Sequence, residues 1–215
     1  MKYNTAEVAA LQPDYLGFIF WEPSERFYDK VIPSLPLGIK KVGVFVDAPM
    51  DYLLEKFHEH DLDAVQLHGK ESATYCKKLK DFVQVKKNQS NTAKETISGL
   101  TIIKVFSIKD SFEFKVLEPY EDVCDYFLFD TKGKLPGGNG YAFDWSVLKD
   151  YPSTKPYFLS GGIGLKNIKD IHTFLEKKES KYCFAIDVNS GFESKPGLKD
   201  VEKLKTFANN LKEHG

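Results

Sequence analysis

Short apolar runs rich in β-branched and aromatic residues alternate along this chain with longer amphipathic runs. The short runs predict strands at Tyr15–Phe20, Lys41–Val46, Ala64–Leu67, Ile102–Phe106, Tyr126–Asp130, Tyr157–Ser160 and Phe184–Val188. Between them, apolar residues recur at helical spacing. Pro49–His60 places Leu53, Leu54 and Phe57 on one face, and Ser72–Phe82 aligns Tyr75, Leu79 and Phe82. Later helices are expected over Trp145–Lys149, Lys166–Lys177 and Leu198–Lys212; the last carries Val201, Leu204, Phe207, Ala208 and Leu211. The polar stretch Lys86–Gly99 reads as a surface loop with some helix.

Strands that alternate with helices imply parallel pairing through right-handed crossovers. Runs that are apolar throughout suit strands covered on both faces. The fold class is therefore α/β, and seven strands are legible where a closed (β/α)8 barrel of the TIM type has eight. A helix-like segment, Thr5–Leu11, opens the chain with no strand before it. Either the sheet is open or the first strand of a barrel is missing.

Composition narrows the class. The 215 residues suit one domain, and 42% hydrophobic with 14% aromatic content marks a globular chain. Lys plus Arg is 30 against 31 Asp plus Glu, which argues against nucleic acid or an anionic membrane as the main partner. A locally positive site for a small anion is compatible with that balance. Cys76, Cys124 and Cys183 are odd in number and far apart in sequence, so they form neither a disulfide framework nor a zinc motif. That usage fits a reducing cytoplasm. No apolar run reaches the roughly 20 residues of a membrane span, and the polar start does not read as a signal peptide.

Candidate chemistry gathers at the ends of the expected strands, where parallel α/β proteins place it. Asp130 ends one strand and is followed by a loop with glycines at Gly137, Gly138 and Gly140. It reads either as a carboxylic acid under a mobile lid or as a residue that merely caps the loop. Arg26 lies just past the first strand, beside Pro23; it could hold a carboxylate bidentately or form a surface ion pair. His68, in Val65-Gln-Leu-His-Gly69, could be a base, a hydrogen-bond donor or a structural histidine. His58 and His60 are two apart on a helix and cannot share a face, which excludes a metal pair there. Ser160-Gly-Gly-Ile-Gly164 and Asp187-Val-Asn-Ser-Gly191 follow consecutive late strands. Glycines at such positions let backbone N–H groups approach a phosphate near a helix N-terminus, although tight turns use glycine as well. No GxxxxGK[ST] motif is present, so this is not a P-loop site.

Taken in order, these segments resemble the phosphoribosylanthranilate isomerase family. The resemblance rests on Gly17-Phe-Ile-Phe with Pro23-Ser-Glu-Arg-Phe27, Lys41-Val-Gly-Val-Phe-Val46, Val65-Gln-Leu-His-Gly69, Phe129-Asp-Thr131 with Gly137-Gly-Asn-Gly140 and Phe143-Asp-Trp145, Ser160-Gly-Gly162, and Asp187-Val-Asn-Ser-Gly-Phe-Glu193 leading into Pro196-Gly-Leu-Lys-Asp200. It spans nearly the whole chain. It implies a single TIM-barrel domain over 1–215 and an acid/base Amadori rearrangement in tryptophan biosynthesis. N-(5-phosphoribosyl)anthranilate would become 1-(2-carboxyphenylamino)-1-deoxyribulose 5-phosphate, with no metal or cofactor. By the family pattern Asp130 is the general acid that opens the furanose ring. Arg26 holds the anthranilate carboxylate, with His68 also at the substrate. Gly161, Gly162, Ser190 and Gly191 grip the phosphate. An acid working near neutral pH needs a raised pKa, which partial burial under the lid could supply.

One departure stands out. The family's general base is a cysteine ending strand one, in a Lys-hydrophobic-Cys-Gly motif, and this sequence has no such motif. Its cysteines are expected away from the catalytic rim. The simplest account is a chain that starts late, through a mis-assigned translation start, with a natural pseudoenzyme as the alternative. A gap between the first and last strands, filled by N-terminal rearrangement or a neighbouring chain, would follow. Two rival readings remain: indole-glycerol-phosphate synthase, for which Lys104 lies in a strand but matching glutamates are not found, and a non-catalytic phosphate-ligand-binding barrel. The assembly is expected to be a monomer or homodimer.

Overall fold

A computed structural model of the chain describes residues 1–89, 100–109, 111–131 and 142–212. The lid glycines Gly137, Gly138 and Gly140, and residues 90–99 of the polar stretch, lie outside the described residues. Two compact units are present, one built from residues 1–105 and 117–126 and the other from 106–116 and 127–215.

The first unit runs α1 (Thr5–Ala9), β1 (Tyr15–Ile19), β2 (Lys40–Phe45), α2 (Met50–His60), β3 (Ala64–Leu67), α3 (Ala73–Gln89) and the start of β4 (Thr101–Ile108). Strands β1 to β4 pair parallel in chain order, with Gly17 opposite Val42, Val42 opposite Ala64 and Ala64 opposite Thr101. Phe18, Phe45, Val65, Leu67 and Ile102 are wholly buried. Burial of consecutive residues such as Val42 to Phe45 shows that both sheet faces are covered.

A repeated device sets the register at the N-terminal ends of these strands. Asp63, just before β3, donates its N–H to the Lys41 carbonyl (2.9 Å) and accepts the Lys41 N–H on Oδ2 (2.7 Å). Asp125 treats Ile102 in the same way, at 2.9 and 2.8 Å. Each aspartate thus satisfies both backbone groups of a neighbouring strand start, where a parallel ladder would otherwise leave one open. On the outer side of β1, the Met1 ammonium donates to the Gly17 carbonyl, and the Tyr28 N–H donates to Ile19 O at 2.8 Å. The chain's own first residue therefore occupies part of that edge.

The second unit carries most of β5 (Tyr126–Thr131), then β6 (Tyr157–Leu159), α4 (Ile168–Leu175), β7 (Cys183–Ile186), a short antiparallel hairpin of β8 (Glu193–Lys195) with β9 (Leu198–Lys199), and α5 (Val201–Lys212). Strands β5, β6 and β7 are parallel and adjacent in that order. Phe127, Phe129, Tyr157 and Phe192 fill its core.

All seven expected strands are present, and the departures are local. Trp145–Asp150 is a 3-10 helix rather than an α-helix, with Asp144 as its N-cap accepting the Ser146 N–H. Leu198 and Lys199 belong to β9, so α5 begins three residues later than periodicity suggested, at Val201. In α3 the buried face centres on Cys76 and Leu79, both fully covered, whereas Phe82 is 37% exposed. The helix also continues through residues 86–89.

His60 closes α2 with its ring stacked on Phe20 at 4.9 Å, 7% exposed. Burial pushes its pKa down, with Glu59 opposing and Lys56 and Lys41 reinforcing that shift. An unfolded histidine titrates near 6.5, so the unfolded chain binds the proton first as pH falls. Stability contributed by neutral His60 is therefore complete above about pH 6.5 and declines as pH falls toward the lowered folded value. Chemical denaturation at pH 7.5 and 5.5 should show His60→Phe losing less stability over that interval than the wild type. Equal losses would remove His60 as the source.

Candidate active site

In the first unit, the loop after β1 is pinned before it reaches Arg26. Ser24 donates its N–H to Trp21 O at 3.0 Å, Phe27 to Ser24 O at 2.9 Å, and the Arg26 N–H meets Ser24 Oγ at 3.2 Å. Tyr28 anchors the far side, with its ring 4.9 Å from Phe18 and its hydroxyl on Val31 O. Arg26 itself is half-buried, at the C-terminal end of β1 as the sequence implies. His68 is exposed and follows β3 directly; its N–H donates to Phe45 O at 2.8 Å.

Behind His68 lies a feature that sequence reasoning missed. Lys104 in β4 is 3% exposed, and its ammonium donates to Leu67 O (3.1 Å), Gly69 O (2.8 Å) and Glu71 Oε2 (3.0 Å). Glu71 Oε1 accepts the N–H of Asp47 (2.9 Å) and of Gly69 (3.1 Å). The loops after β2 and β3 are thereby tied to β4. They approach so closely that a Cβ on Gly69 would lie 2.6 Å from the Asp47 backbone nitrogen. The signal was a lone lysine inside an apolar strand, which demands a buried anion.

In the second unit, Asp130 sits half-buried near the end of β5. Its neighbour Thr131 accepts the Phe143 N–H on Oγ1 at 3.1 Å, so residues 131 and 143 are joined at the two ends of the segment that carries the lid glycines. After β6, Ser160 donates its N–H to Phe129 O (2.9 Å) and its hydroxyl to Asp187 Oδ2 (2.6 Å). Gly161 and Gly162 follow with φ of +92° and +64°, a region closed to most side chains. A Cβ on Gly161 would fall on the Thr131 nitrogen and hydroxyl. A Cβ on Gly191 would fall on Ile163 O, with Gly164 Cα at 3.3 Å.

The two glycine turns expected to grip phosphate are thus in direct contact. Behind them, Lys199 bonds Asn189 Oδ1 (2.5 Å), Asn189 O (3.1 Å) and Glu193 Oε1 (3.0 Å), holding the second turn against the β8–β9 hairpin. The carboxylate–glycine-turn set of this unit can present an acid and a cluster of backbone N–H groups at the C-terminal ends of β5, β6 and β7.

The cysteines lie elsewhere. Cys76 and Cys124 are buried, and a hydrogen bond from the Cys124 thiol is the main cause lowering the Cys76 pKa. Two thiols 48 positions apart therefore meet, which sequence spacing hid. Cys183 is the first residue of β7, at the opposite end from Asp187, and burial pushes its thiol up to about 12. Among the described residues, no group of three or more His, Cys, Asp or Glu side chains could hold a metal ion. No described helix is long and apolar enough to cross a membrane.

Parallel strands in chain order, with helices between them and the acid and glycine turns at the strand ends, define an α/β protein of the TIM-barrel type. Solved structures bear this out. Phosphoribosyl anthranilate isomerase from Thermus thermophilus aligns with a TM-score of 0.73 at 24% identity, covering 98% of this chain and 93% of its own. The enzyme from Thermotoga maritima aligns at 0.70 and 26%, with the same coverages.

The family follows from sequence. The family described as N-(5'phosphoribosyl)anthranilate (PRA) isomerase matches residues 2–88 and 76–210. N-(5'-phosphoribosyl)anthranilate isomerase of Parabacteroides distasonis is 40% identical over 214 residues, covering 97% of this chain and 88% of the relative. That of Phocaeicola vulgatus is 38% identical over 210 residues, covering 98% and 93%. This chain belongs to the PRA isomerase family.

The Gly161 turn is the tightest point of the second unit, and replacing it tests the construction. Gly161→Ala should cost about 2–4 kcal/mol in urea denaturation, from left-handed strain and the clash with Thr131 backbone. Gly164→Ala, where a Cβ meets nothing within 4 Å, should cost distinctly less. Equal costs would show that the Gly161 contact is not the constraint.

Proposed function

We propose that this chain carries the substrate grip and the general acid of a PRA isomerase. The single supporting observation is that Asp130 and the two touching glycine turns share one unit, all at strand C-termini. In this reading the backbone N–H groups around Gly161, Gly162, Ser190 and Gly191 take the phosphate. Arg26 takes the anthranilate carboxylate, with His68 also at the substrate. Asp130 protonates the furanose oxygen. The chemistry then needs a base to remove the C2 proton. Cys76 and Cys124 are buried, and Cys183 stands at the wrong end of its strand with its proton held too tightly to serve. None of the three fits the role.

A solved PRA isomerase bound to reduced 1-(o-carboxyphenylamino)-1-deoxyribulose 5-phosphate aligns here with a TM-score of 0.69 at 25% identity. That compound is the natural probe. We read the chain as a single barrel domain working in the cytoplasm, consistent with three thiols outside disulfides. It is read as a monomer or homodimer; a solved structure from Thermotoga maritima is described as generated monomers of a dimeric phosphoribosylanthranilate isomerase.

The second reading, a non-catalytic binder of the same ligand, is favoured by the unsuitable cysteines. Calorimetry with the reduced ligand and a turnover assay separate the two. The chain as it stands should bind the ligand and turn over slowly. A form extended by a strand ending in Lys-hydrophobic-Cys-Gly should be faster by about 10²–10⁴, the usual worth of a positioned base. In that form Asp130→Asn should lose a similar factor in kcat while ligand affinity holds. Full activity of the unextended chain would overturn the assignment of the base. Binding without turnover in both forms would establish the binder.

A further inference from the structure

The Lys104–Glu71 pair is an ionic bond between side chains 3% and 2% exposed, and neither group belongs to the chemistry described above. A buried pair of this kind is seldom a net gain over apolar residues of the same size, so its presence calls for a reason beyond stability. Its hydrogen bonds supply one. Three backbone groups at His68 and Gly69 are held. The His68 N–H is on Phe45 O, the Gly69 N–H is on Glu71 Oε1, and the Gly69 carbonyl is on the Lys104 ammonium.

The same carboxylate holds the Asp47 N–H, and Asp47 adopts φ +48°, a left-handed conformation rare for a residue with a side chain. Such a conformation persists only where its surroundings over-determine it. Here they do, since Asp47 Oδ1 also accepts the Lys70 N–H at 2.5 Å. An ammonium has three N–H bonds, and three oxygens from β3, its following loop and Glu71 face them.

We infer that Glu71 is a positioning residue for the isomerisation, with Lys104 as the cation that lets its carboxylate stay buried: the side chain at position 71 fixes the loops after β2 and β3, and hence His68, in the geometry that receives substrate. The inference rests on the functional reading above. The acceptor on residue 71, not the charge, holds the Asp47 and Gly69 amides. Two double variants separate these. Lys104→Met with Glu71→Gln removes both charges and keeps an acceptor. Lys104→Met with Glu71→Met removes the acceptor as well. Lys104→Met alone leaves a buried carboxylate without its cation and should lower the melting temperature by about 10 °C or more. Both double variants should recover much of that loss.

The test is affinity for the reduced ligand and turnover of the Cys-Gly-extended form, at a temperature where every variant is folded. Amide exchange at Asp47 and Gly69 is measured alongside. The Met/Gln variant should stay within a few-fold of wild type. The Met/Met variant should lose about 10²-fold, as misplacement by an ångström does, and its Asp47 and Gly69 amides should lose protection. Equal behaviour of the two double variants, in step with their melting temperatures, would reduce the pair to a structural role. If the wild type neither binds the ligand nor turns over, the functional reading is what fails. The clamp itself then stands or falls on whether the two amides lose protection in Met/Met and keep it in Met/Gln.

Discussion

A lysine inside an apolar strand is the constraint around which the first unit is organised. Lys104 cannot sit in β4 without oxygen partners, because an unpaired buried ammonium costs several kcal/mol. Two of its partners are backbone carbonyls at the end of β3, and the third is a carboxylate brought back by the loop after that strand. Satisfying the charge therefore dictates where the chain goes after Leu67. It dictates the loop after β2 as well, because Glu71 uses its second oxygen on Asp47. Gly69 is forced by the resulting approach: the Asp47 backbone leaves no room for a side chain there.

The two ends of the strands solve different problems. At the N-terminal ends, Asp63 and Asp125 each close a neighbouring strand with a backbone and a side-chain hydrogen bond, which fixes register and does no chemistry. At the C-terminal ends stand polar side chains and glycine turns, the groups proposed to meet the ligand. This division is what a parallel sheet permits, since all its strands end on the same side. The second unit shows it most clearly. Ser160 ties the turn after β6 to Asp187 after β7, and Gly161 lets that turn pass directly over Thr131 at the end of β5.

The seven strands of the parallel sheet were legible because each is a short, largely apolar run between polar segments; the hairpin of β8 and β9 has no such run. The helix ends were less so. Periodicity assigned Leu198 to a helix because it continues the spacing of Leu204 and Phe207. The residue pairs with Lys195 instead, because Gly197 at φ +81° turns the chain into a hairpin. Site residues were legible where a motif joins them, as in Ser160-Gly-Gly162. They were invisible where the partners are far apart in sequence. Glu71 and Lys104, Cys76 and Cys124, and Ser160 and Asp187 are separated by 33, 48 and 27 positions, and only folding reveals them.

In the proposed reading, binding and proton abstraction fall to different groups of the protein. The proposed phosphate grip is made of main-chain N–H groups in turns held by Ser160, Asp187, Asn189 and Lys199, none of which depends on a cysteine. Asp130, the proposed acid, adjoins Thr131, whose backbone lies against Gly161 of the first turn. A base, in contrast, must be an accessible group whose proton affinity matches the working pH. Burial removes Cys76 and Cys124 from that role, and the position of Cys183 at the start of its strand removes the third. In the proposed reading the groups that hold the ligand are distinct from the group that takes the C2 proton, so affinity and turnover report on different residues.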